Sequence, residues 1–462
     1  MTAAADVLIA ASDAALPVRP ARGGGGLNGA VAAWAAVNDF TGKPGQVLIV
    51  PRTEGGPDRA LLGVGDRPLD AMAGRCLAVK LPAGDWRLEG WSDGEAQALA
   101  LAFALGAYRF DRYKAKPGPR PRLVAPAGLN LDATRAIADA CFRVRRMVDT
   151  PAADMGPAEI EAEAREVAQT HGASIEVTVG DALLAANYPA VHAVGRAAAP
   201  HRAPRLIEIG WNLDAADRPL VALVGKGVAF DSGGLDIKPA AGMRNMKKDM
   251  GGAAHVLGLA QLIMGANLPV RLVVLIAAVE NAISGDAFRP GDVLSTRKGL
   301  TVEVGNTDAE GRLILADALA RAGERGPDLT LDFATLTGAA RVALGPELPP
   351  LYTDDDALAA DLLAASARVG DPLWRMPLWP GYRASVEAEI ADLRNDSAAW
   401  AQAGSVTAAL FLQRFAPETG AWAHLDVFAW NPRARPGWPE GGEAQGIRAV
   451  FDMLTRRFAS GD

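Results

Sequence analysis

The sequence predicts an α/β protein in which a large C-terminal mixed, mostly parallel sheet is covered by helices on both faces, with a smaller N-terminal α/β domain. Three observations carry this. Beyond residue 150, short apolar runs alternate with helix-length stretches, the pattern of strands buried on both faces. Before residue 125, short strand-like runs sit among Gly- and Pro-rich turns. With 462 residues, 50% of them apolar, the chain can bury a large core and divide into two or three units.

In the small domain, assigned to 1–130, strands are expected at 46–50 and 76–81, and a turn at Gly23-Gly24-Gly25-Gly26. A helix is expected over 94–108 with Asp93 as its cap, because Ala98, Leu99, Leu101, Ala102 and Leu105 form one apolar stripe. A connecting helix, within 131–150, stops before Pro151, which pushes Thr150 out of helical geometry. In the larger domain, assigned to 151–462, strands are expected at 175–179, 205–209, 220–224, 271–277, 301–304 and 329–333. Helices are expected at 158–170, 250–264, 313–322, 358–367, 406–415 and 447–457. No fixed-period repeat is present.

The net charge of -7 argues against a surface built to neutralise phosphate or anionic lipid. Asp6 stands where a signal peptide is basic, and Val7-Leu8-Ile9-Ala10-Ala11 is too short for its apolar segment. No apolar run approaches the roughly 18 residues of a membrane span. Two cysteines, Cys76 and Cys141, are too few for a disulfide framework. A cytoplasmic protein is expected.

Ligands of open α/β sheets gather at the carboxyl ends of strands. Strand 220–224 is followed by Gly225-Lys226-Gly227, then Phe230-Asp231-Ser232-Gly233-Gly234 and Lys238, with Asp249 opening the next helix. Strand 301–304 is followed by Asn306-Thr307-Asp308-Ala309-Glu310-Gly311-Arg312. Lys226 between two glycines fits neither a Walker loop nor a dinucleotide fingerprint. Singly, each feature has an ordinary structural explanation: a capping box at Thr307 and Glu310, an N-cap at Asp249, a turn at 231–234, surface charges at Lys226 and Lys238. Their concentration after buried strands is less ordinary, because desolvating charges is costly unless they meet one another or a metal. Asp231, Asp249, Asp308 and Glu310 together balance two divalent cations, which suggests a carboxylate-rich two-metal centre. There is no HExxH pair, and His255 and His424 read as satisfied buried histidines. Ser232 lies outside any GxSxG. Spacing alone reaches a metal-dependent hydrolase.

Asn306-Thr307-Asp308-Ala309-Glu310-Gly311-Arg312-Leu313 resembles the signature of the leucyl aminopeptidase family of cytosolic dinuclear metallo-exopeptidases. Residues 224–238, Lys248-Asp249-Met250-Gly251-Gly252-Ala253-Ala254, Asp149-Thr150-Pro151, Thr335-Leu336-Thr337-Gly338-Ala339 and Trp422-Ala423-His424-Leu425-Asp426 match in the same order, so the resemblance runs from about residue 145 to the end. It implies one metal on Lys226, Asp231, Asp249 and Glu310, and another on Asp231, Asp308 and Glu310, the ions being Mn2+ or Zn2+. A hydroxide bridging them would attack the peptide carbonyl, with Lys238 stabilising the oxyanion and Arg312 holding a bicarbonate that shuttles the proton. Met246, Thr335, Leu336 and Gly338 would line the pocket for the first residue, an apolar, leucine-like one. The resemblance also implies peptide substrates and a homohexamer. The alternative is a binding or regulatory member of the same family that acts on DNA, a partner the net charge makes unfavourable.

Overall fold

The computed structural model describes residues 3–22, 26–66, 69–114, 118–397 and 402–458, so the expected turn at Gly23, Gly24 and Gly25 lies outside the described residues. The chain forms two compact units, one of Met1–Phe142 with Asn431–Glu440, the other of Arg143–Trp430 with Gly441–Asp462.

The smaller unit carries a six-stranded sheet in the order Leu8–Ile9, Pro121–Val124, Gly84–Leu88, Leu16–Ala21, Pro57–Gly63, Val47–Pro51, antiparallel only at the last pair. Helix Asp93–Gly106 packs Leu99, Ala100 and Phe103 against Val18, Leu62, Trp86 and Leu123. Its N-cap is Ser92, not Asp93. The Ser92 hydroxyl accepts from the Glu95 amide while Glu95 reaches back to the Ser92 amide, closing a capping box. The strand expected at 76–81 is instead a 3-10 turn, Ala71–Cys76, running into the short helix Leu77–Lys80. A short apolar run does not distinguish strand from helix, and here Asp70 caps the turn by accepting from the Met72 amide. Cys76 and Cys141 are buried and form no disulfide.

In the larger unit eight strands form one sheet. They are β1 (Ser174–Val179), β2 (Arg205–Trp211), β3 (Leu220–Asp231), β4 (Arg271–Asn281), β5 (Leu329–Ala334), β6 (Pro350–Tyr352), β7 (Trp374–Arg375) and β8 (Ala421–Asp426). Their order is β7-β6-β8-β5-β3-β4-β2-β1. The central run β8, β5, β3, β4 is parallel, and β1, β2 and β6 join antiparallel, so the sheet is mixed as expected. Its middle strands are almost wholly buried, which is why they read as continuous Val, Leu, Ile and Ala.

Helices cover both faces. Leu220, Ala222 and Val224 of β3 join a core with Leu313–Leu319 of α2 (Glu310–Gly323). On the other face, Gly225 lies against Ala253 and Val256 of α1 (Gly251–Gly265). Two boundaries differ from expectation. β3 continues to Asp231 because Gly225 and Gly227, which read as breakers, pair with Ile276 and Ala278 of β4. The strand at Thr301–Glu303 is outside the main sheet, pairing with Val293–Ser295 and Leu393–Arg394. Among the described residues no helix is long and apolar enough to cross a membrane.

The approach of α1 to the sheet depends on Gly252. A Cβ there would stand 2.1 Å from the Phe333 carbonyl oxygen and 2.8 Å from the Lys226 nitrogen, both backbone atoms that cannot yield cheaply. Gly252→Ala should therefore lower stability by about 3 kcal/mol or more, the upper range for overpacking a core. Denaturant unfolding with an unchanged midpoint would refute this.

Candidate metal centre

Four acidic side chains converge at the carboxyl end of β3. Asp231 ends that strand, and Asp249 follows the 3-10 turn Met246–Lys248 that leads into α1. Asp308 lies in the turn before α2, and Glu310 is the first residue of α2, where the helix dipole favours a carboxylate. Asp231, Asp249 and Glu310 are 3% exposed or less. Carboxylate oxygens of Asp231, Asp308 and Glu310 come within 4.8 Å of one another.

Two lysines hold this charge together. Lys226 Nζ lies 2.7 Å from Asp249 Oδ2 and 3.0 Å from Glu310 Oε1, and donates to the Thr335 carbonyl at 3.0 Å. Lys238 Nζ lies 2.7 Å from Asp231 Oδ2 and also pairs with Asp308 Oδ1. Burial opposes charge on both ammonium groups, but Asp249, Glu310 and Asp231 around Lys226, and Asp231 and Asp308 around Lys238, outweigh it and raise both pKa values. Room for Lys226 comes from Gly311, where a Cβ would stand 2.6 Å from Lys226 Cε and 2.8 Å from its Nζ.

The carboxylates respond unequally. Burial, with Asp231 beside it, pushes Glu310 up to about 8, and the same causes push Asp308 up to about 6. Asp249 is also buried, yet the Lys226 and Lys248 ammonium groups hold it below its ordinary value. Asp249 Oδ2, Glu310 Oε1 and Asp308 Oδ1 are buried with only a lysine ammonium facing each, and Glu310 Oε2 is buried without a hydrogen bond. Carboxylate oxygens packed against one another with so few donors are costly as they stand and suit oxygen-seeking divalent cations, so these residues fit a metal centre.

A framework that the sequence reading did not anticipate holds the acids in place. Asn281 of β4 donates from Nδ2 to Asp231 Oδ1 at 2.8 Å and to the Thr307 carbonyl at 3.1 Å. Asn395 accepts from the Gly305 amide at 2.8 Å and donates to the Asn306 carbonyl at 2.6 Å, fixing the turn before Asp308. Thr335 donates to both the carbonyl and Oδ1 of Asp249 at 2.9 Å, so it holds a carboxylate as well as lining the cavity. Asp426 accepts from the Leu336 amide at 2.9 Å and the Thr337 hydroxyl at 2.6 Å, tying down 335–338. An isolated Asn or Thr carries no spacing signal. Of these residues, Thr335 and Asp426 lay in motifs already quoted.

The ordinary explanations fare unevenly. The N-cap of α2 is Ala309, and the Thr307 hydroxyl donates to the Gly233 carbonyl, so no capping box forms. The residue before α1 is Met250, so Asp249 is not its cap. His255 is a satisfied buried histidine, as expected, with Nδ1 against the Gly251 carbonyl at 2.6 Å and Nε2 accepting from the Gln445 amide at 3.0 Å. His424 departs from expectation. Its Nδ1 pairs with buried Asp332, but its Nε2 has no partner.

Beside the acids lies a cavity of about 410 Å³, the size of a small-ligand site. Lys226, Asp231, Lys238, Asp249, Asp308 and Arg312 line it, together with the expected pocket residues Met246, Thr335, Leu336 and Gly338. Glu310 reaches the cluster from beneath through Lys226. Arg312 is 9% exposed, its Nε has no hydrogen-bond partner, and burial pulls its pKa down to about 10.

Fold and site together define a class: a two-unit α/β protein with an acidic centre fit for cations at its strand ends, open to a cavity of small-ligand size. Comparison with known proteins gives the family. The model of the cytosol aminopeptidase family, catalytic domain, matches residues 142–451, and that of the M17 aminopeptidase N-terminal domain matches 25–126. A probable cytosol aminopeptidase of Roseiflexus castenholzii is 38% identical over 448 residues, 90% of this chain and 91% of that one. The crystal structure of the cytosol aminopeptidase from Coxiella burnetii superposes with a TM-score of 0.92 at 42% identity, covering 98% and 100% of the two chains. The bottromycin maturation enzyme BotP, in complex with Mn, gives 0.87 at 34% identity over 96% and 99%. The chain belongs to the cytosol aminopeptidase family and is a peptidase.

Metal binding to the folded state alone should stabilise it by mass action. After exhaustive chelation, adding Mn2+ should raise the melting temperature of the protein. Asp231→Asn and Glu310→Gln should abolish or sharply reduce that rise; a full rise in both variants would separate these acids from metal binding.

Proposed function

We propose that the protein is a metal-dependent aminopeptidase that releases the amino-terminal residue of peptides, leucine-like apolar residues among them, through a centre that holds two divalent ions. The observation that carries this is the convergence of carboxylate oxygens within 4.8 Å of one another beside the cavity, with Glu310 Oε2 buried and without a hydrogen bond. Lys226, Asp231, Asp249 and Glu310 would hold one ion, and Asp231, Asp308 and Glu310 the other. Lys226 joins the first set as a neutral amine, a state that nearby divalent charge favours. Bound there, two Mn2+ or Zn2+ ions lower the pKa of water, polarise the peptide carbonyl and anchor the free α-amine.

The remaining roles belong to this chain's own residues. Lys238 stays cationic and stabilises the negative oxygen that develops on the attacked carbonyl. Arg312 offers a planar guanidinium suited to a bicarbonate, which would pass a proton to the departing amine. Met246, Leu336, Gly338 and Thr335 form walls for the first side chain. All these residues belong to the larger unit, which we assign as the catalytic domain, with the connecting helix and small domain before it. A cytoplasmic homohexamer acting on peptides, with no role on nucleic acid, completes the proposal and follows the family resemblance.

The test is hydrolysis of a leucine anilide and its amino-blocked counterpart, before and after chelation and with Mn2+ restored. Cleavage of the free-amine substrate alone, lost on chelation and regained with metal, is expected. Lys238→Ala should keep its metal content and lose about 100-fold or more in kcat, in the range for removing one oxyanion-stabilising group. Asp249→Ala should lose metal as well as activity. Unchanged turnover in both variants would end the assignment.

A further inference from the structure

Lys248 is a cation of the cavity wall whose one role so far is to help Lys226 keep Asp249 below its ordinary pKa. It is 6% exposed and lines the cavity. Its nearest carboxylate oxygen is Asp249 Oδ1 at 3.7 Å, beyond hydrogen-bond reach. That oxygen already accepts from the Thr335 hydroxyl, and Asp249 Oδ2 faces Lys226 at 2.7 Å. Asp426, also in the wall, has its oxygens taken by the Leu336 and Thr337 amides and the Thr337 hydroxyl. Beside Lys248 stands the ring of Phe428, 5.3 Å from Nζ, and the exposed Arg341 guanidinium lies 4.8 Å from the same ring. An ammonium ion is therefore held inside the cavity with an aromatic ring and one long ion pair for company, which is costly unless something that enters the cavity pairs with it.

Resting on the aminopeptidase reading, we infer that Lys248 is a specificity residue that favours peptides whose first side chain ends in a carboxylate, glutamate or aspartate. Lys248 Nζ lies 3.7 Å from Asp249 Oδ1, so its ammonium stands beside the acids that would hold the ions and, with them, the substrate's α-amine. A side chain of one or two methylenes that ends in a carboxylate suits that short separation. Met246, Leu336 and the Phe428 ring pack the methylenes, and the carboxylate turns the long ion pair of Lys248 into a direct one. An apolar side chain meets the same walls but leaves the ammonium as it was. Glutamine has the shape of glutamate without its charge and isolates the effect.

The test compares kcat/KM for glutamyl, glutaminyl and leucyl anilides with the full-length, Mn2+-loaded protein. The glutamyl substrate should exceed the glutaminyl one by about tenfold or more, the scale of a hydrogen bond to a charged partner. In Lys248→Met that ratio should fall to about one, and in Lys248→Arg it should stay above one. A ratio is blind to general loss of active enzyme, so a purely structural role for Lys248 would leave it unmoved. Should Lys248→Met fail to fold, the wild-type ratio decides alone. Leucine cleaved with glutamate no better than glutamine, or a ratio unchanged in Lys248→Met, overturns the inference and leaves the aminopeptidase standing. No cleavage of any of the three by the wild type overturns both.

Discussion

The constraint on which the larger unit depends is the mutual repulsion of four carboxylates packed at the end of one strand. Asp231, Asp308 and Glu310 bring oxygens within 4.8 Å of one another, and Asp249 joins them through Lys226. Left alone, such a cluster would take up protons, and the raised pKa values of Glu310 and Asp308 show that tendency. Lys226 and Lys238 counter it, each bridging two acids. Two ammonium groups balance half of the charge. The other half, with Glu310 Oε2 left without a hydrogen bond, suits the cluster to cations.

Holding repelling groups together takes rigid support, and the fold supplies it from three directions. The parallel core of the sheet sets Lys226 and Asp231 on β3 next to Asn281 at the end of β4. Two helices begin at the same place, so Asp249 comes just before α1 and Glu310 opens α2. The separate three-stranded sheet brings Leu393–Arg394 beside Thr301–Glu303, and thereby Asn395 to the turn that carries Asp308. Glycines at 252 and 311 let helix and lysine approach closer than any Cβ allows. The support is mostly neutral, since further charged groups would alter the balance among the acids and lysines.

This division of labour explains what was legible in the sequence. The acids were readable because charge after a wholly apolar strand is rare without a purpose, and the buried strands were readable from their apolar runs. Lys226 was not, because a lysine between glycines at a strand end looks like a solvated charge or a loop. Only the resemblance nominated it. Asn281, Asn395 and Asp426 were given no role because their partners are backbone atoms or side chains tens of residues away, a pairing that no local spacing encodes. At 76–81 a short apolar stretch was compatible with either periodicity, and the cap at Asp70 decided for the helical turn. The cap of helix Asp93–Gly106 fell to Ser92 because its hydroxyl completes a reciprocal pair with Glu95 that Asp93 cannot make.

Lys248 extends the electrostatic argument from the metals to the substrate. A cavity meant only for an apolar side chain gains nothing from a buried ammonium, and this one places Lys248 where Asp249 and Asp426 are already engaged. Lys226 and Lys238 differ, since each lies within 3.0 Å of a carboxylate it serves. The three lysines of the cavity thus divide by the strength of their partners: two are tied to the acids of the centre, and one is held back by a single contact at 3.7 Å. A charge tied by one long contact is the one an incoming carboxylate can engage most readily. The same electrostatic balance that fits the acids for cations therefore leaves Lys248 loosely held and able to read the first side chain.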